Sequence, residues 1–192
     1  PAAGEEHGGA GGPVRAMEAS LSPKQYQDRA PFFAASISEN EISIGGYTQA
    51  IIDQEIAFAK AGRLDYWAFL LYEEGNSMSQ GLDLYLSSAR KGDMPFCAIA
   101  SPNTFGNADM FRDRMGRLIR LMKEPSYLKV DNGRPLLYVF RVNDDWISVW
   151  GGPEAARGRF DALRAAIQAT GHANPYIVIM NDTAESGKQM VD

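Results

Sequence analysis

Four apolar runs of strand length, Leu64–Tyr72, Pro95–Ala100, Pro135–Phe140 and Pro175–Met180, alternate with stretches whose apolar residues recur at helical spacing. Such alternation restricts the chain to the α/β class. Strand-helix-strand connections are right-handed, so the units stack into a parallel sheet, either doubly wound and open or part of a (β/α)8 barrel. Each run also ends in polar residues: Glu73-Glu74, Pro102-Asn103, Arg141 with Asn143-Asp144-Asp145, and Asn181-Asp182. The carboxyl ends of parallel strands are where ligands sit, so polar groups recurring there mark a binding face.

The intervening stretches carry helix signals. From Thr48, a cap residue, Ile51, Ile52, Ile56 and Ala59 form one stripe that stops at Gly62. Leu64–Tyr72 is apolar on both faces and reads as a buried strand. The next helix starts from Ser77 with Leu82, Leu84, Tyr85 and Leu86 inward, and stops at Gly92. The third, capped by Asn107 or Asp109, carries Met110, Phe111, Met115, Leu118, Ile119 and Met122, and Pro125 ends it. A methionine stripe at this spacing is core packing rather than a cofactor box. Asp131-Asn132-Gly133 between the β-rich runs Tyr127–Val130 and Arg134–Phe140 predicts a hairpin, because its turn needs positive φ. A last helix spans Pro153–Thr170, with Trp150 as a staple before it and Gly171 after it.

Upstream the signals are sparser. The glycine-rich opening through Pro13 lacks apolar residues to offset its ordering entropy, so residues 1–21 are expected to be a flexible arm and 22–192 the β/α domain. Ser22-Pro23 would start a short helix over Lys24–Arg29. The isoleucines of Ser36–Gly46 fit a small hairpin or an extended excursion, with Glu39 and Glu41 as a charged turn.

Composition excludes several functions. A formal charge of −5, with Lys and Arg scattered, argues against a nucleic-acid partner. No apolar run approaches the ~20 residues of a membrane span. The single cysteine, Cys97, lies in an apolar run and reads as a small hydrophobe. His7 and His172 make no metal-ligand spacing, and no glycine-rich phosphate loop follows any strand, so neither metal nor cofactor is expected. The chain opens on Pro1 without a signal peptide, and Thr183–Asp192 follow a strand without the helix due next. It reads as a piece of a longer protein whose compartment stays open.

The strand ends hold the candidates for chemistry. Adjacent side chains on a strand point opposite ways, so one of Glu73 and Glu74 faces a ligand at most. Glu73, near Tyr66, Trp67, Phe69 and Tyr72, is the candidate for acid-base work or hydroxyl binding; the plain alternative is a solvated loop pair. Arg141 with Asp144 and Trp146 is the mixture sugar sites use, since guanidinium and carboxylate bind hydroxyls while an indole packs on the ring face. Its plain alternative is a surface ion pair with a core tryptophan. Asn103, Asn181 and Asp182 stand at the correct strand ends, and equally suit turns and helix caps.

The phrases Gln54–Gly62, Leu64-Asp65-Tyr66-Trp67-Ala68-Phe69, Met94-Pro95-Phe96-Cys97 and Tyr127-Leu128-Lys129-Val130-Asp131-Asn132-Gly133-Arg134-Pro135-Leu136-Leu137-Tyr138 follow one another in order. This succession resembles the glycoside-hydrolase-like barrels related to endo-α-mannosidase and the WbsX-type polysaccharide proteins, from about Tyr47 to Asp182. The hairpin phrase is its most specific part. The resemblance implies a partial (β/α)8 barrel holding about strands two to five, acting on a glycan or polysaccharide as a glycoside hydrolase when full length. Tyr72, Glu74, Asn103, Arg141, Asp144, Trp146, Asn181 and Asp182 would bind substrate, with Glu73 the catalytic candidate.

The Asn-Glu-Trp-x-Glu phrase that carries the acids of the endo-mannosidase-like enzymes does not occur in this chain, and where WbsX-like members have Asn-Glu it has Asn103-Thr104. The piece alone is therefore expected to be inactive. The alternatives are a WbsX-like glycosyltransferase and a non-catalytic glycan-binding domain. A partial barrel also leaves open sheet edges, through which copies would self-associate.

Overall fold

The computed structural model describes residues 12–45, 48–107 and 110–180. The chain divides into two compact units, Pro1–Ile52 and Asp53–Asp192.

The first unit begins with helix α1 (Gly12–Leu21), where an arm was expected; the expectation for residues 1–11 lies outside the described residues. The helix is held to a partner by a polar contact rather than by its apolar side, since Val14 and Met17 are exposed. That partner is the antiparallel hairpin of β1 (Ala34–Ser38) and β2 (Glu41–Ile44): the Glu18 carboxylate accepts the Ile44 amide at 2.7 Å. Lys24–Arg29 is a short helical turn as anticipated, of 3-10 type. Ser22 does not cap it, since its hydroxyl accepts from the Ile42 amide at 3.4 Å. Glu39 sits in the hairpin turn and pairs with Lys24.

Helix α2 (Gln49–Ala61) starts on Thr48, whose Oγ1 accepts the Ile51 amide at 3.4 Å. Its left-handed residue is Arg63, at φ 58°, and Gly62 precedes it. The Leu64 amide closes the end on the Ala59 carbonyl at 3.0 Å.

The second unit is a mixed α/β body around a parallel-rich sheet. Its strands are β3 (Trp67–Leu70), β4 (Phe96–Ala100), β5 (Lys129–Val130), β6 (Arg134–Phe140) and β7 (Tyr176–Met180). They run parallel in the order β3-β4-β6-β7, while β5 pairs antiparallel with the start of β6. The β5–β6 hairpin turns through Asp131, Asn132 and Gly133, all at positive φ, which is what the Asn-Gly signal required. Between strands run α3 (Gln80–Ser87), α4 (Pro102–Phe105), α5 (Phe111–Met122), α6 (Asp144–Val149) and α7 (Pro153–Gln168). The parallel β/α character expected from the sequence is present. Barrel closure is not seen: among the described residues β3 pairs only with β4, and β7 only with β6.

The two faces of the sheet differ. The register puts Trp67 beside Phe96, then Phe69, Ala98, Leu137 and Ile177 in one row, and Ala100, Val139 and Ile179 in the next. Tyr85 of α3 packs on the rings of Trp67, Phe69 and Phe96 with centroids 5.1–6.0 Å apart, so this is the helix-covered side. The opposite face carries Leu70, Ile99, Tyr138 and Val178, and then Phe140 beside Met180. There Leu70, Phe140 and Met180 are 37–42% exposed. The buried strand expected at Leu64–Tyr72 is thus an edge strand of four residues covered on one face.

A wedge fills the amino ends of β4 and β6. The Phe96 amide donates to the Ser126 carbonyl (3.0 Å), the Leu128 amide to Phe96 (2.6 Å), and the Leu136 amide to Leu128 (3.1 Å). Tyr127, 3% exposed, accepts the Ala98 amide at 3.3 Å and donates to the Leu136 carbonyl at 2.7 Å. The hydroxyl thus satisfies backbone groups that the splayed strands cannot give each other.

Candidate functional site

The carboxyl ends of β3, β4 and β6 open into one cleft of about 760 Å³. The end of β3 and the residues after it contribute Leu70 through Glu73, the β4–α5 connection Ser101, Gly106 and Asn107, the end of β6 Phe140, and the cap and body of α6 Asn143, Asp145, Trp146 and Val149. Asn76 and Arg114 complete the lining.

Local chemistry fixes these positions. Asn76 accepts the Met78 amide at 2.9 Å and starts the turn into α3, where Ser77 was the expected cap. Asn143 caps α6 in the same way through the Trp146 amide, at 3.0 Å. α6 is a short helix, and it carries Asp145 and Trp146 into the cleft lining.

Beneath the cleft lies an aromatic cluster. Phe105 stacks on Trp146 at 6.2 Å, Trp146 and Trp150 are 4.3 Å apart, and Phe111 and Phe160 close around them. The Trp150 indole N–H donates to the Gly106 carbonyl at 3.0 Å, tying that loop to the cluster. Trp146 is only 5% exposed, and its indole N–H is buried without a partner among the described residues. It is therefore more floor than platform. The exposed ring at the cleft is Phe140, 42% accessible, with half-buried Tyr72 on the β3 side.

Both expected glutamates are engaged by α5. Arg114 pairs with Glu73 at 2.7 Å, Arg120 with Glu74 at 2.6 Å, and Arg117 hydrogen-bonds the Tyr72 carbonyl. A spacing of three residues puts these arginines on one side of the helix. Arg114 reaches Glu73 across Gly106: a Cβ there would come within 3.1 Å of its Nε and 2.9 Å of the Met110 Cβ, and Gly106 sits at φ +65°. Gly106→Ala should therefore cost about 1–3 kcal/mol in urea unfolding, from backbone strain and the blocked guanidinium path.

Of the residues proposed from the sequence, Tyr72, Glu73 and Trp146 line this cleft. Glu74 lines a neighbouring cleft of about 390 Å³ together with Arg114, Arg117 and Arg120. Asn103 belongs to α4. Arg141 ends β6 at φ 61° with its amide donating to the Met180 carbonyl at 3.0 Å; it and Asp144 are exposed, outside the cleft lining. Asn181 and Asp182 lie outside the described residues.

Asp145 takes the place foreseen for Asp144, because the helical turn that Asn143 starts decides which of the two faces the cleft. It makes no ion pair or hydrogen bond with any described residue. Phe140 is marked in the sequence only as the last residue of a strand.

No protein-family model, curated protein or solved structure matches this chain. What its site can do therefore rests on the residues themselves. Among those described, no three His, Cys, Asp or Glu side chains assemble as a metal-holding group, and no helix is long and apolar enough to cross a membrane. Cys97, fully buried in β4, has its thiol pushed up to about 12 by burial, which leaves it no thiolate for nucleophilic work near neutral pH.

Proposed function

We propose that this chain is a carbohydrate-active domain of glycoside-hydrolase type that holds about strands two to five of a (β/α)8 barrel and binds a glycan in the larger cleft. The observation that carries this reading is the cleft's mixture of groups at the strands' carboxyl ends. The exposed Phe140 ring and Tyr72 stand with Asn76, Asn143 and the carboxylate of Asp145, which pairs with no described residue. Aromatic faces pack on the C–H faces of sugars while amides and carboxylates bind their hydroxyls.

The monotonic order β3-β4-β6-β7 supports the barrel part. Right-handed crossovers without a reversal put every helix on one side, which is the winding of a barrel, whereas a doubly wound sheet reverses. The apolar opposite face suits a barrel interior.

A second reading, a glycan-binding domain without catalysis, draws on the engagement of Glu73 by Arg114, which occupies the carboxylate singled out for acid-base work. Calorimetric titration with gluco-, manno- and xylo-oligosaccharides, with chromatography of the products, separates the two. Phe140→Ala and Asp145→Asn should each weaken the binding of a recognised oligosaccharide about tenfold, the worth of ~1–2 kcal/mol in ring packing or a charge-assisted hydrogen bond. Product release that Asp145→Asn abolishes would establish the hydrolase. Binding without products is expected of this piece under either reading, so product release alone decides for the hydrolase, and no binding across the panel would overturn both.

A further inference from the structure

The larger cleft and its 390 Å³ neighbour share Leu71, Tyr72, Glu73 and Arg114. All four are held through their backbone: the Glu73 carbonyl accepts from the Asn76 amide at 3.1 Å and the Ser79 hydroxyl at 3.2 Å, and Arg114 lies within α5. The Leu71 amide donates to Ile99 at 2.9 Å while its carbonyl accepts from the Thr104 hydroxyl at 3.1 Å, and the Tyr72 carbonyl accepts from Arg117. The parts able to move are the side chains of Glu73 and Arg114, joined at 2.7 Å.

This joint is easily opened. The Glu73 side chain is 67% exposed while that of Arg114 is 21% exposed, so the glutamate is the mobile partner, and an ion pair with a solvated carboxylate is weak and screened by salt.

We infer that the Glu73–Arg114 ion pair is a bar across a single groove, and that the smaller cleft is a further subsite for the sugar units of a longer glycan chain. With the pair closed, a short oligosaccharide fills the larger cleft alone. With it open, the groove continues past Tyr72 to the α5 arginines, whose guanidinium donors suit sugar hydroxyls. This inference rests on the glycan reading above and assigns the extent of that same site.

The test is a length series of the oligosaccharide bound best, from disaccharide to hexasaccharide, titrated against the wild-type chain, Glu73→Gln and Arg114→Met. Both variants break the ion pair, and Glu73→Gln keeps the size and polarity of the side chain. The expected result is a ratio of hexasaccharide to disaccharide affinity three- to fivefold higher in each variant than in the wild-type chain. Raised salt should reproduce the gain in the wild-type chain. A length dependence identical in all three proteins overturns the bar while leaving the glycan cleft intact. Loss of disaccharide and hexasaccharide affinity together would place Glu73 or Arg114 on the first sugars, and overturns it too. Absence of binding by every oligosaccharide removes the glycan reading and this inference with it.

Discussion

Trp150→Ala should cost about 3–5 kcal/mol in urea unfolding, a large share of the ~5–15 kcal/mol a domain of this kind has. Trp150 is 1% exposed and packs with Phe105, Phe111, Trp146 and Phe160, while Arg159 lies over its ring at 4.7 Å. Truncation leaves a cavity at the centre of the cluster that rigid neighbours cannot fill. It also removes the indole N–H that holds the Gly106 carbonyl. Trp150→Phe isolates the second effect, since it keeps a ring and loses the hydrogen bond, so it should cost far less in stability than the alanine variant. A loss under 1 kcal/mol for Trp150→Ala would mean that the cluster does not anchor the floor of the cleft.

Stability should also fall steeply above about pH 8.5. Cys97 has its thiol pushed up to about 12 by burial, and burial likewise raises Tyr127, whose hydroxyl is locked between Ala98 and Leu136. Tyr138 is pushed up to about 12, chiefly by its hydroxyl contact with Tyr66 at 2.7 Å, and Tyr85 is raised by burial. A group whose folded pKa lies above its unfolded value gives stability that is complete below the unfolded pKa and disappears as pH climbs toward the folded one. The unfolded chain releases the Cys97 proton near ~8.5 and tyrosine protons near ~10, while the folded chain keeps them. At about 1.4 kcal/mol per pH unit and group, the buried pair Cys97 and Tyr127 alone removes on the order of 4–5 kcal/mol by pH 11. Urea midpoints measured from pH 7 to 11 read this directly. Cys97→Ala should flatten the decline between pH 8.5 and 10, and an unchanged decline in that variant would exclude the thiol as its source.

The elements that could be read from the sequence are those decided locally. Arg134–Phe140 and Tyr176–Met180 are strands where their β-rich runs lie, and the turn at Asp131-Asn132-Gly133 follows from residues that tolerate positive φ. The misreadings arise where a distant partner decides. Leu64–Tyr72 is apolar on both faces, yet neither its length as a strand nor its covering is set by its own residues; the pairing with β4 holds only Trp67–Leu70. α1 forms opposite a hairpin that appears more than ten residues later. At the site, Glu73 and Glu74 were visible as acids, but the arginines that take them lie more than forty residues on. The choice of Asp145 over Asp144 depends on a single helical turn that Asn143 begins, a signal present in the sequence as Asn-Asp-Asp and outweighed there by the carboxylates themselves.

The wedge at Ser126–Leu128 has a consequence for the order in which the chain can be built. Phe96 gains its backbone partners from Ser126 and Leu128, and β4 gains β6 only from Leu137 onward. At a ribosomal pace of ~5–20 residues per second, the free edge of β4 waits on the order of seconds for them. During that interval β3 and β4 form at most a two-stranded ribbon, too small to hold itself together in water. The half of the cleft that carries Tyr72 and Glu73 therefore takes shape late, after residues far downstream have emerged.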